Sequence, residues 1–361
     1  MQNFPDHADA VTAEWVTQRL RENGLLGEDE GAVTSVTWEA IGTGQVGDSV
    51  RFHLAYSSEG AGPATLAAKF SAADETSRGT AALMGLYAKE VCFYREAAPL
   101  LGVRVPDVLA AHVSEDGARQ VILFEDLAPA RGGDQIAGCG IEDARAAIRQ
   151  AAAIHAGSWQ RRDLLEARWI APQPELSARI AAMYPQAQAV FRERYAGTLE
   201  PEFMALCEEL ATTPAFFERD NSNPQCLVHG DFRLDNMLFD IKGGAEPIAV
   251  LDWQTVTTGK AMTDVAYFLG CGIGNELRRA HEEELLDLWL AEMAAHGVEL
   301  SRGEIERDYR IGALHGVSTA VFSAAFVERT ERGDANFLSM ARGACGLALE
   351  RGSIAALKET A

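Results

Sequence analysis

LVHGDFRLDNMLF (residues 227–239) and VLDWQTVTTGKAMTDVAYFLG (residues 250–270) decide how this chain is read. His229-Gly230-Asp231 is followed by Asn236, and Asp252 closes the apolar run IAVLD. Asp231 and Asn236 fall on a loop after a short apolar strand, and Asp252 ends another strand. Three oxygen-bearing side chains can therefore converge. Hard oxygen ligands, few in number and leaving room for water and phosphate, suit Mg²⁺. Phosphoryl transfer needs such a metal to screen phosphate oxygens and a carboxylate to orient the attacking hydroxyl. Asp and Asn alone are ordinary turn residues. The ordered set H-G-D-x-x-x-x-N followed by a strand-terminal D-W is what carries the reading.

Around this island, Gln225 to Thr258, the chain changes character. Upstream, a helix is expected from Asp9 to Glu22, with Gly24 at its C-terminal cap. VTSVTWEAIG, SVRFHLAY, TLAAKF and QVILFEDL read as strands between Gly, Ser and Pro breaks. One helix, Gly79 to Ala98, lies among them. After Leu127 helical patterns dominate: Glu142–Trp159, Glu175–Tyr195, Pro201–Leu210, Glu276–His296, Arg302–Glu331 and Ala335–Lys358. The pattern predicts an α+β, bilobal chain. Residues 1–126 form a small antiparallel-sheet lobe with one main helix. Residues 127–361 form a larger, mostly helical lobe, with the hinge near Glu125 to Pro129.

Composition narrows the partners. The 361 residues are 47% hydrophobic and 24% charged, as in globular proteins, and the length suits two domains. With 53 acidic against 32 basic residues, the net charge of −21 repels nucleic acid and anionic lipid. No nucleic-acid, membrane or obligate protein partner is expected. The opening MQNFPDHADA has neither the basic nor the apolar region of a signal peptide, and the longest near-apolar stretch, Ala313 to Val327, is too short to span a bilayer. The six cysteines are scattered without a C-x-x-C pair, which predicts reduced thiols in a cytoplasmic protein.

The two motifs resemble the aminoglycoside phosphotransferase and choline-kinase-like superfamily, in particular its bacterial ecdysteroid-kinase-like branch. The resemblance covers most of the chain. It implies a protein-kinase-like fold and ATP- and Mg²⁺-dependent transfer of the γ-phosphate to the hydroxyl of a small molecule. It implies that Asp231 is the catalytic base and that Asn236 and Asp252 hold Mg²⁺, although the triplet here is D-W-Q where protein kinases have D-F-G. His229 braces the loop. Asp264 matches the helix aspartate that hydrogen-bonds the catalytic-loop backbone, and it also reads as a helix N-terminal charge.

Gly42, Gly44 and Gly47 spell G-x-G-x-x-G. A dinucleotide-binding turn would open a helix at this point. Here Val50, Phe52 and Leu54 alternate with Ser49, Arg51 and His53, so a strand follows. The glycines then form a hairpin over phosphates, as in kinases, or a plain turn. Lys69, inside the apolar strand TLAAKF, needs a partner. The resemblance assigns it to the α- and β-phosphates with a helix glutamate. At about 100° per residue, Leu83, Leu86, Tyr87, Phe93 and Tyr94 fall within about 60° of Glu90, which selects Glu90 over Glu96. The resemblance places adenine against the backbone from Phe124 to Leu127, which brings in Glu125 and Leu127, and the acidic side chains there read as solvated.

The resemblance places the acceptor in the helical lobe, with Glu175–Phe217 and Glu276–Thr330 as the candidate segments. Tyr184, Phe191, Tyr195, Trp289, Tyr309, Phe322, Phe326 and Glu328 are candidates, and aromatics at helical spacing also read as core. Acidic residues suit an aminoglycoside or amino alcohol, whereas Ala313 to Val327 suits a hydrophobic alcohol. Arg233 and Lys260 read as surface charge. A protein kinase and a nucleotide-binding interaction module are the alternatives. H-R-D, D-F-G and A-P-E are unmatched, and Asp252 lies too near DVAYF for a long activation loop.

Overall fold

A computed structural model of the chain describes residues 4–42, 47–171, 174–218, 222–327 and 329–359. The chain divides into two compact units. The first comprises Met1–Leu100, Arg104–Ala130 and Asp240–Thr255, and the second Leu101–Val103, Arg131–Phe239 and Val256–Ala361. The Asp252 segment thus packs with the N-terminal unit, although it follows the His229–Asn236 loop in sequence.

Five strands build the sheet of the first unit: β1 (Val33–Ala40), β2 (Gly47–Tyr56), β3 (Thr65–Ser71), β4 (Val108–Val113) and β5 (Gln120–Glu125). Their order is β1-β2-β3-β5-β4, with every pairing antiparallel. Alternation decides the faces. Val50 and Phe52 of β2, and Leu66, Ala68 and Phe70 of β3, enter one core with Val16 and Leu20 of helix α1 (Ala13–Glu22). The opposite face of β3 is left for Lys69. β4, which sequence did not reveal, is alanine-rich and becomes a strand through its pairing with β5.

The expected helix Gly79–Ala98 is in fact two, α2 (Glu75–Leu83) and α3 (Leu86–Cys92), the latter running into a wider turn over Phe93–Ala97. Gly85 makes the break. At φ +68 it adopts the left-handed conformation that terminates helices, with its N–H on the Ala82 carbonyl.

The second unit is helical: Ile141–Ser158, Pro174–Tyr195, Pro201–Ala211, Asn275–Ala295, Arg302–Phe326 and Glu331–Glu350. The helix expected to run to Glu331 stops at Phe326, and Thr330 caps the next one by accepting from the Gly333 N–H. That last helix starts before Ala335 and breaks at Gly352, φ +63, ahead of Ser353–Lys358. Two short strands, Cys226–Val228 and Thr257–Gly259, pair antiparallel, the first leading directly into His229. Among the described residues no helix is long and apolar enough to cross a membrane.

Candidate active site

In the first unit, Lys69 projects from the face of β3 opposite the core. Its Nζ donates to Glu90 Oε1 at 2.8 Å and to Asp252 Oδ1 at 2.9 Å. Glu90 is 1% exposed and sits in the middle of the buried face of α3, between Tyr87, Val91 and Tyr94. Burial alone would lower the Lys69 pKa, but its two carboxylate partners outweigh burial and raise it, so the ammonium stays charged. Burial pushes the Glu90 carboxyl up against the opposing pull of Lys69. Glu96 is exposed.

Asp252 follows the strand Glu246–Val250 and takes φ +63, a left-handed conformation uncommon outside glycine. Trp253 anchors it. Its ring stacks on Phe93 with centroids 3.7 Å apart, and its indole N–H donates to the Val250 carbonyl at 3.3 Å. The same contact ties Asp252 to the end of α3, the helix that carries Glu90.

Gly42 lies at φ +77, and Gly47 opens β2, where a Cβ would come within 2.8 Å of the Phe70 carbonyl. Gly44 lies outside the described residues. Glu125 is not solvated as expected. It accepts from Arg104 at 2.8 Å, from Lys242 at 2.7 Å and from the Asp107 N–H. Asp126 likewise pairs with Arg51 at 2.6 Å. The Glu125 N–H donates to the Asp107 carbonyl, and the Leu127 carbonyl accepts from the Lys242 N–H.

In the second unit, Asp264 is fully buried and holds the loop that carries Asp231 by its backbone. Its carboxylate accepts from the His229 N–H at 2.7 Å and the Gly230 N–H at 2.9 Å. His155 Nε2 stands 3.3 Å from the same carboxylate, and its Nδ1 accepts from the Trp289 indole at 3.1 Å, which fixes the imidazole proton on Nε2. His229 is buried, and its Nδ1 accepts from the Asp231 N–H at 3.2 Å. That contact is a loop brace.

Asp231 is gripped from three sides. Tyr267 Oη donates to Oδ1 at 2.8 Å, Asn236 Nδ2 to Oδ2 at 2.9 Å, and Arg233 Nε lies 3.0 Å from Oδ1. Burial would raise its pKa, but the Arg233 guanidinium, His229 and these hydrogen bonds overcome it and hold the carboxyl below the usual range. Burial, reinforced by Asp231, pushes the Tyr267 hydroxyl far up, so it stays a donor.

Each taken by itself, the Asn236 amide and the Asp252 carboxylate offer oxygen donors of the kind Mg²⁺ takes. Hydrogen bonding to Asp231 commits the Asn236 amide nitrogen, so a metal would take the amide oxygen. The Asp252 side chain is 32% exposed, and beside it Gln254 Oε1 is buried without a hydrogen-bond partner among the described residues. No group of three or more His, Cys, Asp or Glu side chains suited to a metal occurs among the described residues. Mg²⁺ makes up its octahedron from waters and substrate phosphates around one or two protein carboxylates.

Sequence reasoning missed several residues. Arg233 is not surface charge: it is largely buried between Asp231 and Asp235. Lys260 lies within reach of Ser222 and Asp308. Tyr267 was overlooked, although its place one turn after Asp264 on the helix Met262–Tyr267 was a usable signal. His315 Nε2 meets the Gly230 carbonyl at 2.8 Å, and Gln135 bridges the Leu234 N–H to the Cys271 carbonyl. Of the acceptor candidates, Tyr184, Phe191, Tyr195, Trp289 and Tyr309 are core, Phe322 is half-buried, Phe326 is exposed, and Glu328 lies outside the described residues.

The model of the ecdysteroid kinase-like family matches residues 47–301. Among solved structures, the GDP complex of aminoglycoside 2'-phosphotransferase-IIIa superposes with a TM-score of 0.52 at 14% identity, covering 92% of this chain and 99% of that one. A Ralstonia eutropha protein provisionally named an aminoglycoside phosphotransferase gives 0.51 at 16% identity, covering 93% and 98%. These likenesses establish a protein-kinase-like α+β fold. Acyl-CoA dehydrogenase family member 11 of Homo sapiens is 51% identical over 49 residues, 14% of this chain. The match spans 6% of that relative's length.

Proposed function

The chain belongs to the ecdysteroid kinase-like family, and we propose that it is a cytoplasmic phosphotransferase that moves the γ-phosphate of ATP to a hydroxyl of a small molecule. In this reading residues 1–126 bind the nucleotide, and residues 127–361 supply the catalytic loop and the acceptor site. The acceptor oxygen forms its bond to the γ-phosphorus as the bond to the β–γ bridging oxygen breaks. The hydroxyl proton passes to the Asp231 carboxylate, and ADP leaves. Lys69, kept charged by Glu90 and Asp252, neutralises the α- and β-phosphates. The glycines Gly42, Gly44 and Gly47 cover the phosphates, and backbone near Glu125 and Leu127 receives the adenine. Asn236 and Asp252 would hold Mg²⁺, which would screen the phosphate oxygens.

The observation that carries this reading is the Asp231 carboxylate, kept ionised and aimed by Tyr267, Asn236 and Arg233 on a backbone pinned by Asp264. An ionised, oriented carboxylate is what a general base for a hydroxyl requires, and such a base contributes about 10²–10⁴-fold. Asp231→Ala is expected to lower transfer by that factor while ATP still binds. Transfer to a protein substrate alone would favour the protein-kinase alternative, and ATP binding without any Asp231-dependent transfer the interaction-module alternative.

A further inference from the structure

In the second unit the rings of Phe216, Phe217, Tyr184, Phe322 and Phe326 form an unbroken series of contacts, with successive centroids 5.1, 4.8, 5.1 and 5.8 Å apart. Tyr184 is buried, Phe216, Phe217 and Phe322 are half-buried, and Phe326 is 55% exposed. Met183, beside Tyr184, is 40% exposed. The series runs from the core at Tyr184 to the surface at Phe326, and exposed apolar side chains that continue a buried cluster are candidates for a binding surface.

The helix Arg302–Phe326 links the patch to the catalytic loop. His315 meets the Gly230 carbonyl at 2.8 Å, and its ring packs 5.2 Å from that of Tyr267, whose hydroxyl holds Asp231. Thr319, Phe322 and Phe326 follow His315 at spacings that keep them on one side of the helix. The intervening Leu314, Val317, Val321 and Ala324 are buried in the core. At the helical rise, His315 to Phe326 spans about 16 Å. Two of the charged side chains near the outer end are already engaged. Arg194 bonds the Ala324 carbonyl, and Asp334 is spent on Arg329 and on the Tyr195 hydroxyl.

We infer that this strip, running from His315 to Phe326, is the wall along which the acceptor lies, and that the acceptor is an alcohol with a long apolar body. This rests on the phosphotransferase reading above. The hydroxyl sits at Asp231, and up to roughly a dozen methylenes run outward along Thr319, Phe322 and Phe326.

The test uses 1-butanol, 1-octanol and 1-dodecanol as acceptors with Mg·ATP, and binding of 1-dodecanol measured by displacement of a fluorescent apolar dye. In the wild type kcat/KM should rise about fourfold per added methylene. Phe326→Glu, at an exposed position that tolerates charge, should flatten the rise and weaken 1-dodecanol binding about tenfold or more. No 1-dodecanol binding, a flat series, or the same slope in Phe326→Glu overturns the inference. So does a change of oligomeric state in Phe326→Glu, by sedimentation velocity, with the slope intact, which makes the patch an interface between copies. ADP formation that does not depend on Asp231 overturns the phosphotransferase reading itself, whereas Asp231-dependent turnover with a flat series overturns only the strip.

Discussion

Tyr267 Oη donates a 2.8 Å hydrogen bond to Asp231 Oδ1 from a helix whose Asp264 holds the backbone of the same catalytic loop. One short helix therefore sets both the position of the loop and the orientation of its carboxylate. Because the Tyr267 hydroxyl stays protonated, it can only donate here. A hydrogen bond to a charged group is worth about 1.5–3 kcal/mol. Tyr267→Phe should lower kcat about 10- to 100-fold with little change in KM for ATP, measured by steady-state kinetics. An unchanged kcat would show that Tyr267 does not orient the base.

Arg233 is expected to set the acid limit. It is the largest of the influences that lower the Asp231 pKa, and burial opposes it. The carboxylate is therefore ionised at every pH above its depressed folded value. The stability it contributes is fully present above the unfolded Asp pKa and is lost as pH falls through the lower folded value. Arg233→Ala removes the lowering influence, so the acid limb of the kcat profile should move to higher pH. A limb that stays in place or moves down would assign it to another group.

The Lys69 triad predicts an asymmetry between two substitutions. Glu90→Gln keeps the shape and leaves Lys69 paired with Asp252, so the protein should stay folded while KM for ATP rises about tenfold. Lys69→Met leaves two carboxylates without their shared cation, one of them buried, and should cost about 3–5 kcal/mol as well as ATP use. Denaturant titration of both variants checks this, and equal stabilities would contradict it.

The fold holds much that these motifs do not announce. H-G-D-x-x-x-x-N, the strand-terminal Asp252 and the helical phase of Glu90 are local patterns, and they were legible. The grip on Asp231 was not, because Tyr267 lies 36 residues away along the chain. His315 reaches the loop across 85 residues, and Gln135 across about a hundred. Arg233 looks like surface charge in sequence because burial is a property of what packs over it. Gly85 sat inside an otherwise helical pattern, and nothing local showed that it would turn left-handed.

Glycines show the same limit and give a stability test. At Gly343, in the helix Glu331–Glu350, a Cβ would lie 2.0 Å from the Gly270 carbonyl, so backbone must move to admit it. Gly343→Ala should destabilise by about 1–3 kcal/mol. Gly79 in α2 has open space around it and no positive φ, so Gly79→Ala should stabilise by about 0.4–1 kcal/mol. Thermal unfolding of the two variants should shift in opposite directions, and shifts of the same sign would show the packing at one site to be misjudged.

The central claim is that Asp231 is the base of an ATP-dependent transfer to a small-molecule hydroxyl. Its most direct test is phosphorylation of aminoglycosides, amino alcohols, sugars, sterols and long-chain alcohols with Mg·ATP, with Asp231→Ala as control and ATP binding followed in parallel. The account predicts a phosphorylated alcohol whose formation falls about 10²-fold or more in Asp231→Ala while ATP binding persists. Turnover surviving within a few-fold in that variant would contradict it.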